Sequence, residues 1–418
     1  MENINIQFIS SYLSDMESLT ADYLIVGAGA SGMAFLDELV HNSDQTVVVV
    51  DRRAQPGGHW VDAYDFVTLH QPAAFYGVNS RNLGAGGACL ASKTQILAYY
   101  ELVMKDLVAT GRVTWLPLTD FRGNGHLVSL VQEGLEYQVT VRKKIVDTFT
   151  VTSVPSTKPP NYSVEEDVHH VPVNGLTKIT KPWNKYVIIG AGKTGLDALI
   201  YLLDLKVNPE SIFWIVSNDC WYLRREGLAK GGFAGPDAVK SILASHTVEE
   251  LYKNYEANGI FMRTSKDFEP TKMRAATVSE AEMTRVRKIK NIVREGRVES
   301  ITSSLITFKN GVSIPTDLKT LHVHCSTNGT LWESSKPIFL GSEISLQMVH
   351  LPAPTNSASI VAALELLWPD DEKRKNEICT PVEAPHDLQD WFINFKRDLC
   401  NGQKIREALG FWWHWNRY

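Results

Sequence analysis

Apolar runs broken by glycine turns occur twice along the chain, each time in the order strand, turn, helix, strand. The first set opens with the apolar run at 23–26, passes through a glycine-rich turn at 27–32 and continues as a helical pattern over 33–40. A second apolar run at 46–50 follows and ends at Asp51. Short apolar runs bounded by turn residues predict buried parallel strands, so this stretch predicts a βαβ unit.

The first turn reads G-A-G-A-S-G. Gly27 permits the tight turn, Gly29 lets the backbone approach a pyrophosphate, and Gly32 lets the helix pack close to the strand. The helix start adds free N–H groups and a partial positive charge. Asp51 is placed to accept hydrogen bonds from a ribose. We therefore expect a dinucleotide site here, with Ser31 as a further contact.

The segment 52–60 (R-R-A-Q-P-G-G-H-W) predicts a second contact with the same nucleotide. Pro-Gly-Gly must turn, and its two glycines let backbone N–H groups face a ligand edge. The candidate residues of this segment are Arg52, Gly58, His59 and Trp60.

The strand–turn–helix–strand pattern returns over 186–216, with the turn G-A-G-K-T-G at 190–195. Two such units imply two nucleotides, or one nucleotide and a relic. The candidate residues of the second turn are Gly190, Gly192, Lys193, Thr194 and Gly195.

The residue after the last strand of this second unit bears on the choice of nucleotide. Ser217 stands where a carboxylate would repel a 2′-phosphate, and Arg224 and Arg225 follow a few residues on. This pattern favours NADPH over NADH. Asp219 leaves the alternative open, because a shift of two residues would restore an acid.

The rest of the chain predicts the following organisation. Residues 1–20 fit a short helix or an arm. Ser92 is the candidate cap of a helix over 96–109. Short β-like stretches over 113–154 indicate an antiparallel meander. The stretch 221–282 is mostly helical in pattern, strands over 292–314 close the second unit, and the strand at 321–325 returns the chain to the first. We expect a first domain of 1–182 and 319–418, and a second of 183–318 with a helical insertion at 221–282.

Composition, charge and cysteine content indicate which partners and which compartment to expect. The chain has 418 residues, of which 44% are hydrophobic and 21% charged, and a net charge of −5, so nothing suggests a nucleic-acid partner. No apolar run is long enough for a membrane span, and the first twenty residues lack the features of a signal peptide. Five scattered cysteines without C-x-x-C predict a cytoplasmic protein with no redox dithiol and no metal site.

Three motifs occur in order along the chain: G-A-G-A-S-G with Asp51, P-G-G-H-W at 56–60, and G-A-G-K-T-G. In these motifs the chain resembles the class B flavin-dependent monooxygenases. The resemblance implies an α/β fold of two Rossmann-like dinucleotide-binding domains, a discontinuous one for FAD with an NADPH domain inserted. The family fingerprint that precedes the second glycine turn is replaced by V-H-H-V-P-V-N-G at 168–175, and the A-T-G strand ends appear only as V-T-S at 151–153 and T-N-G at 327–329. These departures indicate a divergent branch.

The chemistry implied is hydride transfer from NADPH to the flavin, followed by reaction with O₂. A C4a-hydroperoxyflavin then delivers one oxygen atom to a small nucleophilic substrate, an amine nitrogen or a sulfide sulfur. By the same resemblance Asn79 lies beside the flavin and bound oxygen; Gln71 and His59 are further catalytic candidates, and Gln347 is a cofactor contact. A homo-oligomer is compatible with the sequence. Two other hypotheses stay open: an NAD(P)H:acceptor reductase or oxidase that inserts no oxygen, and a non-catalytic FAD-binding sensor.

Overall fold

The computed structural model of the chain describes residues 15–148, 154, 157–228, 235–327, 335–351, 353–383, 385 and 387–410. The strands are β1 (Asp15–Val26), β2 (Val47–Val50), β3 (Val113–Leu116), β4 (Thr119–Gly123), β5 (His126–Ser129), β6 (Leu135–Asp147), β7 (Ser163–Val164), β8 (His170–Pro172), β9 (Lys185–Ile189), β10 (Ile212–Ile215), β11 (Cys220–Arg224), β12 (Phe261–Met262), β13 (Lys272–Val278), β14 (Asn291–Val293), β15 (Val298–Ile301), β16 (Leu305–Phe308), β17 (Ser313–Pro315), β18 (Thr320–His324), β19 (Phe339–Leu340) and β20 (Glu343–Ser345). The α-helices are α1 (Ala30–His41), α2 (His59–Asp62), α3 (Lys93–Ala109), α4 (Lys193–Asp204), α5 (Arg225–Leu228), α6 (Pro236–Leu243), α7 (Val248–Ala257), α8 (Glu280–Val286), α9 (Pro354–Leu367), α10 (Glu372–Ile378) and α11 (Leu388–Leu409).

The first sheet has the strand order β19-β20-β6-β1-β2-β3. Strand β1 lies parallel to β2 on one side and to β6 on the other, and β4, β5 and β6 form an antiparallel meander. The expected βαβ unit and meander are both present. Residues 15–20, for which we expected a helix or an arm, instead extend β1, because they pair along the long strand β6.

The second sheet has the order β14-β10-β9-β18-β8 and is parallel throughout. Strand β18 pairs with β9 and β8, so it belongs to the second sheet, whereas the boundary expected at 318/319 assigns it to the first domain. Strand β8 likewise lies on the second sheet although it precedes residue 183. The apolar pattern predicted β18 without indicating which sheet it joins, and it predicted no strand at β8.

The insertion at 221–282 contains a three-stranded sheet, β12-β11-β13, as well as the helices α5 to α8. Its core is aromatic: the rings of Trp221 and Tyr252 stack with centroids 5.6 Å apart, and Phe261 packs against Trp391 of α11. The insertion therefore contains helices, as expected, and also a small sheet that was not predicted, because the short strand β12 and the polar residues of β13 give no clear alternating pattern.

The helices next to the first sheet match the prediction closely. Helix α3 begins at a capping box in which the Ser92 side chain accepts from Gln95 N and the Gln95 side chain accepts from Ser92 N. Helix α9 packs along α1 and is buried on nearly all sides. Parts of the stretches named above, namely 1–14, 151–153 and 328–329, lie outside the described residues, as does the aromatic C-terminal stretch 411–418.

A buried ion network ties α9 to the first sheet. Glu365 is 1% exposed; it accepts a hydrogen bond from Tyr23 Oη of β1 at 3.2 Å and one from Lys375 Nζ at 2.5 Å. Lys144 Nζ of β6 lies 3.2 Å from the same carboxylate. Removing one member of such a network leaves an uncompensated buried charge, so the network fixes the position of α9.

Among the described helices none is long and apolar enough to cross a membrane. In the same part of the chain no group of three or more His, Cys, Asp or Glu side chains could hold a metal ion. All five cysteines are free thiols.

Candidate functional site

The first glycine turn joins β1 to α1 and has room only for glycine at two positions. Gly27 has a φ of +107°, and a Cβ atom there would lie 2.3 Å from Thr148 Oγ1. A Cβ atom on Gly32 would lie 2.0 Å from the Gly27 carbonyl oxygen. Gly29 is the N-cap of α1 and supplies no capping side chain, so the N–H groups of the first helical turn lack a side-chain cap. Such a helix start favours an anion.

Asp51 connects this turn to the end of β2. Its carboxylate is 7% exposed and accepts hydrogen bonds from Ala28 N at 2.8 Å and from Arg53 N at 2.9 Å. These bonds fix the carboxylate beside the turn, as expected for a ribose contact. Arg52 extends into solvent, with its side chain 74% exposed and 3.4 Å from Asp120.

The Pro-Gly-Gly segment packs directly on the first turn. A Cβ atom on Gly58 would lie 2.8 Å from Gly29 Cα, and Gly57 N donates to the Ala28 carbonyl at 2.8 Å. This close approach of two backbones explains why glycine occurs in both segments. His59 and Trp60 follow in α2, and burial, reinforced by the positive charge of Arg53, lowers the pKa of His59 to about 4.

The second glycine turn, between β9 and α4, has the same build. Gly190 has a φ of +131°, and a Cβ atom on Gly195 would lie 2.1 Å from the Gly190 carbonyl oxygen. Trp214 Nε1 donates to that oxygen at 2.9 Å. Gly192 differs, since a Cβ atom there would meet no heavy atom within 4 Å. The turn is therefore closely packed at Gly190 and Gly195, whereas the space beside Gly192, the glycine that a pyrophosphate must approach, is open.

Two cations and two carboxylates surround the start of α4. Lys193 Nζ forms a short ion pair with Asp197 and lies 3.9 Å from Glu282 Oε1. Arg225 Nη1 lies 2.8 Å from Glu282 Oε2. The structure thus brings together Lys193 and Arg225, which sequence analysis predicted, and adds Asp197 and Glu282, which it missed.

Loops of the first unit contact this same group of residues. Tyr64 Oη donates to Asp197 at 2.7 Å, and Arg225 Nε donates to the His70 carbonyl at 2.8 Å. Burial, helped by the charges of Lys193 and Arg225, lowers the pKa of His70 to about 3. The segment after Trp60 and the second glycine turn therefore form one continuous wall between the two units.

The carboxyl end of β10 presents a different arginine from those expected. Val216 N donates to the Val293 carbonyl, which places Ser217 and Arg294 at the same edge of the second sheet. Arg294 pairs with Asp219 through two contacts, at 2.9 and 3.2 Å. Arg224 lies 3.6 Å from Glu226 and 3.7 Å from Glu280. The signal for Arg294 was its position directly after a strand.

The remaining predicted residues lie in three places. Asn79 Nδ2 donates to Glu38 Oε2 of α1 at 2.7 Å, and burial raises the pKa of Glu38 to about 6. The Gln347 side chain bonds to the backbone N–H and carbonyl of Lys336, at 3.2 and 2.7 Å. Gln71 is half-buried in the loop that follows His70. The half-buried side chains of Ser31 and Thr194 belong to the first turns of α1 and α4.

The sequence predicts a helix over 357–367 whose start faces the first cofactor, and α9 begins three residues earlier, at Pro354. Leu346 N donates to the Asp147 carbonyl at the carboxyl end of β6, and Val349 N donates to Ser357 Oγ of α9. The Oδ1 atom of Asn356 is buried and has no hydrogen-bond partner in the described part of the chain. Because an unpaired buried polar atom is costly, Asn356 is a candidate ligand contact.

Two sheets, each with a parallel core and with a glycine turn after β1 in the first and after β9 in the second, define a protein with two Rossmann-like units, and the expected fold class is confirmed. Residues 25–78 match the model of the NAD(P)-binding Rossmann-like domain family. Among solved structures, a flavin-containing monooxygenase from Stenotrophomonas maltophilia is 14% identical, with a TM-score of 0.52 over 84% of this chain and 99% of that one.

Cyclohexanone monooxygenase from Rhodococcus sp. Phi1 bound to NADP⁺ is 13% identical, with a TM-score of 0.53 over 87% of this chain and 89% of that one. The chain thus has the fold of the flavin monooxygenases. In sequence it is 37% identical over 407 residues to the uncharacterized protein Rv2000 of Mycobacterium tuberculosis and to the uncharacterized protein Mb2023 of Mycobacterium bovis, covering 93% of this chain and 75% of each relative. The chain belongs to the same family as these mycobacterial proteins.

Proposed function

We propose that the protein is an NADPH-dependent FAD monooxygenase that inserts one oxygen atom from O₂ into a small nucleophilic substrate. The observation that carries this proposal is a pair of glycine turns of matching build on two units that contact each other. The loop after the first site reaches the second through the bond from Tyr64 to Asp197 and the bond from Arg225 to the His70 carbonyl. Nucleotides bound at the two turns would then meet along this wall, close enough to exchange a hydride.

The residues of the first unit fit FAD. The uncapped start of α1, the fixed carboxylate of Asp51 and the backbone of Gly58 would hold the adenosine and pyrophosphate. The unpaired Oδ1 atom of Asn356 supports a polar ligand group near the start of α9. His59 and Trp60 would stand toward the ribityl chain and ring, as the sequence resemblance implies.

The residues of the second unit fit NADPH. The open space beside Gly192 suits a pyrophosphate, with Lys193 and Arg225 as nearby cations. We infer that Arg294 meets the 2′-phosphate, because it stands at the same sheet edge as Ser217. Its partner Asp219 is held by two contacts with this arginine, which makes it a poor ribose acceptor. This proposal replaces the expectation that Arg224 and Arg225 meet the 2′-phosphate, since Arg225 bonds to the His70 carbonyl of the first unit and Arg224 lies beside Glu226 and Glu280.

When bound, FAD would take electrons from NADPH and supply the oxygen-activating chemistry. The chain's own residues would exclude water and orient the two nucleotides. His59 and His70 have pKa values lowered to about 4 and about 3, so both imidazoles are neutral near pH 7 and add no charge to the cleft. The resemblance of the sequence motifs to the class B flavin-dependent monooxygenases implies an amine nitrogen or a sulfide sulfur as the acceptor. The free cysteines support a reducing location such as the cytoplasm.

The proposal is tested on the purified full chain. We expect bound FAD, bleaching of its absorbance by NADPH under nitrogen, and, after oxygen is admitted, a product that carries one atom of ¹⁸O from ¹⁸O₂ in a panel of amines and sulfides. Hydrogen peroxide equal to the NADPH consumed, with no labelled product from any substrate, would identify an oxidase. A flavin that NADPH does not reduce would identify a sensor.

A further inference from the structure

The cations beside the second glycine turn already face carboxylates of the chain itself. Lys193 stands between Asp197 and Glu282, and Arg225 pairs with Glu282 as well. The side chains of Lys193 and Arg225 are only 10% and 15% exposed, so water screens these pairs weakly. A pyrophosphate that binds here must compete with them.

Glu282 is a fixed anion. It is the third residue of α8, and its side chain accepts from Ser279 N at 2.6 Å while the Ser279 hydroxyl accepts from Glu282 N at 3.1 Å. Burial alone would raise its pKa, but Lys193, the Ser279 N–H group and Arg225 outweigh burial and lower that pKa to about 2. The carboxylate is therefore ionised at any working pH and cannot withdraw by rotation without breaking the capping box.

One nitrogen of the Arg225 guanidinium has no hydrogen-bond partner among the described residues. Its Nε donates to the His70 carbonyl and its Nη1 pairs with Glu282, whereas its Nη2 is buried and has no hydrogen-bond partner within the residues the structure describes. A guanidinium held at two corners with a third donor unpaired is oriented to receive one more acceptor.

We propose that Glu282 is a counter-anion that, together with Asp197, competes with the dinucleotide pyrophosphate for Lys193, and so sets the affinity and the salt dependence of the second site. This inference rests on the proposed function. On binding, Lys193 turns from the two carboxylates toward phosphate, while Arg225 keeps Glu282 and offers Nη2. The carboxylate lowers affinity for the bound nucleotide and keeps two cations paired when the nucleotide has left.

The test is NADP⁺ binding to the full chain by isothermal titration calorimetry, from about 20 to 300 mM salt. Glu282→Gln removes the charge and retains a residue type that completes a capping box. We expect its Kd at low salt to be at least fivefold lower than that of the wild type, and its Kd to rise more steeply with added salt. Glu280→Gln is the matched control, since Glu280 is on the same turn of α8 but pairs with Arg224 and Arg287; its Kd should not change.

The outcomes separate the two proposals. If neither the wild type nor Glu282→Gln binds NADP⁺, NADPH or NAD⁺, the proposed function fails. If the wild type binds NADP⁺ and the folded Glu282→Gln protein binds it equally well or more weakly, the counter-anion role is overturned. Should Glu282→Gln lower the unfolding midpoint, Asp197→Asn repeats the test without touching α8, because it removes the other carboxylate on Lys193 and leaves an acceptor for Tyr64.

Discussion

Replacing Gly192 by alanine should leave the protein folded and yet weaken nucleotide binding at the second turn. Gly192 has a φ of −81° and a ψ of −176°, which any residue adopts, and an added Cβ would meet no heavy atom within 4 Å. The remaining cost is that alanine is a poorer N-cap than glycine, by about 0.5 kcal/mol. We therefore expect the free energy of unfolding to fall by less than about 1 kcal/mol.

The same methyl group should be costly once a pyrophosphate lies against the turn. Backbone N–H groups must come within hydrogen-bond distance of the phosphate oxygens, and a hydrogen bond to a charged group is worth about 1.5–3 kcal/mol. Losing one such bond raises Kd by roughly 10- to 100-fold, at 1.4 kcal/mol for each factor of ten. The empty space beside Gly192 thus predicts how strongly an added methyl group would weaken pyrophosphate binding.

The assay combines urea unfolding with calorimetric titration of NADP⁺, and the FAD content of the purified variant reports on the first site. Gly195→Ala is the contrasting variant, because its Cβ would lie 2.1 Å from the Gly190 carbonyl oxygen and the backbone must shift. It should lose several kcal/mol of stability. If Gly192→Ala binds NADP⁺ as tightly as the wild type, the pyrophosphate does not lie at this turn and the two-nucleotide proposal loses its second site.

Three further predictions address specificity, pH and packing. Arg294→Ala should raise the Kd of NADPH about tenfold and leave that of NADH unchanged in titrations, whereas Arg224→Ala, as the control, should affect neither; equal losses for both nucleotides would refute the 2′-phosphate role. Because the pKa of Glu282 is lowered, its contribution to stability is present above pH 4.5 and is lost as pH falls toward 2. In urea titrations, the unfolding free energy of Glu282→Gln should therefore decrease by up to about 2 kcal/mol less than that of the wild type over this pH range. Glu365→Gln should cost about 3 kcal/mol because Lys375 keeps a buried charge without its partner, and the double variant with Lys375→Met should cost less, as a double-mutant cycle by urea unfolding will measure.

The two glycine turns were predictable because their constraints are local. Gly32 and Gly195 each face a carbonyl oxygen five residues earlier in the chain, so the sequence within one turn specifies the geometry. The helix caps are local in the same way, as the Ser92 capping box shows. A pattern of residue types over ten positions is enough to identify such features, and it did so here for both units.

The features that were missed depend on pairing between distant segments. Strand β18 reads as an apolar run, yet only its hydrogen bonds to β9 assign it to the second sheet. Asn356 gave no signal because its significance comes from the unpaired oxygen at a buried helix start. Glu282 gave none because its partner Lys193 is far away in the sequence. Tertiary contact, rather than local propensity, assembles this part of the site.

Arg225 is a further case in which a tertiary contact, rather than closeness in sequence, determines which part of the site a residue belongs to. Its closeness in sequence to β10 suggested the 2′-phosphate, but its guanidinium bonds to the His70 carbonyl of the first unit and therefore stands between the two units. Arg294 is remote in sequence from β10 but adjacent in the sheet, since β14 pairs with β10 in parallel register. On the proposed assignment, the arginine that meets the 2′-phosphate and the arginine that faces the cleft are separate groups. Selectivity for NADPH can change at the sheet edge without disturbing the wall where the two nucleotides would meet.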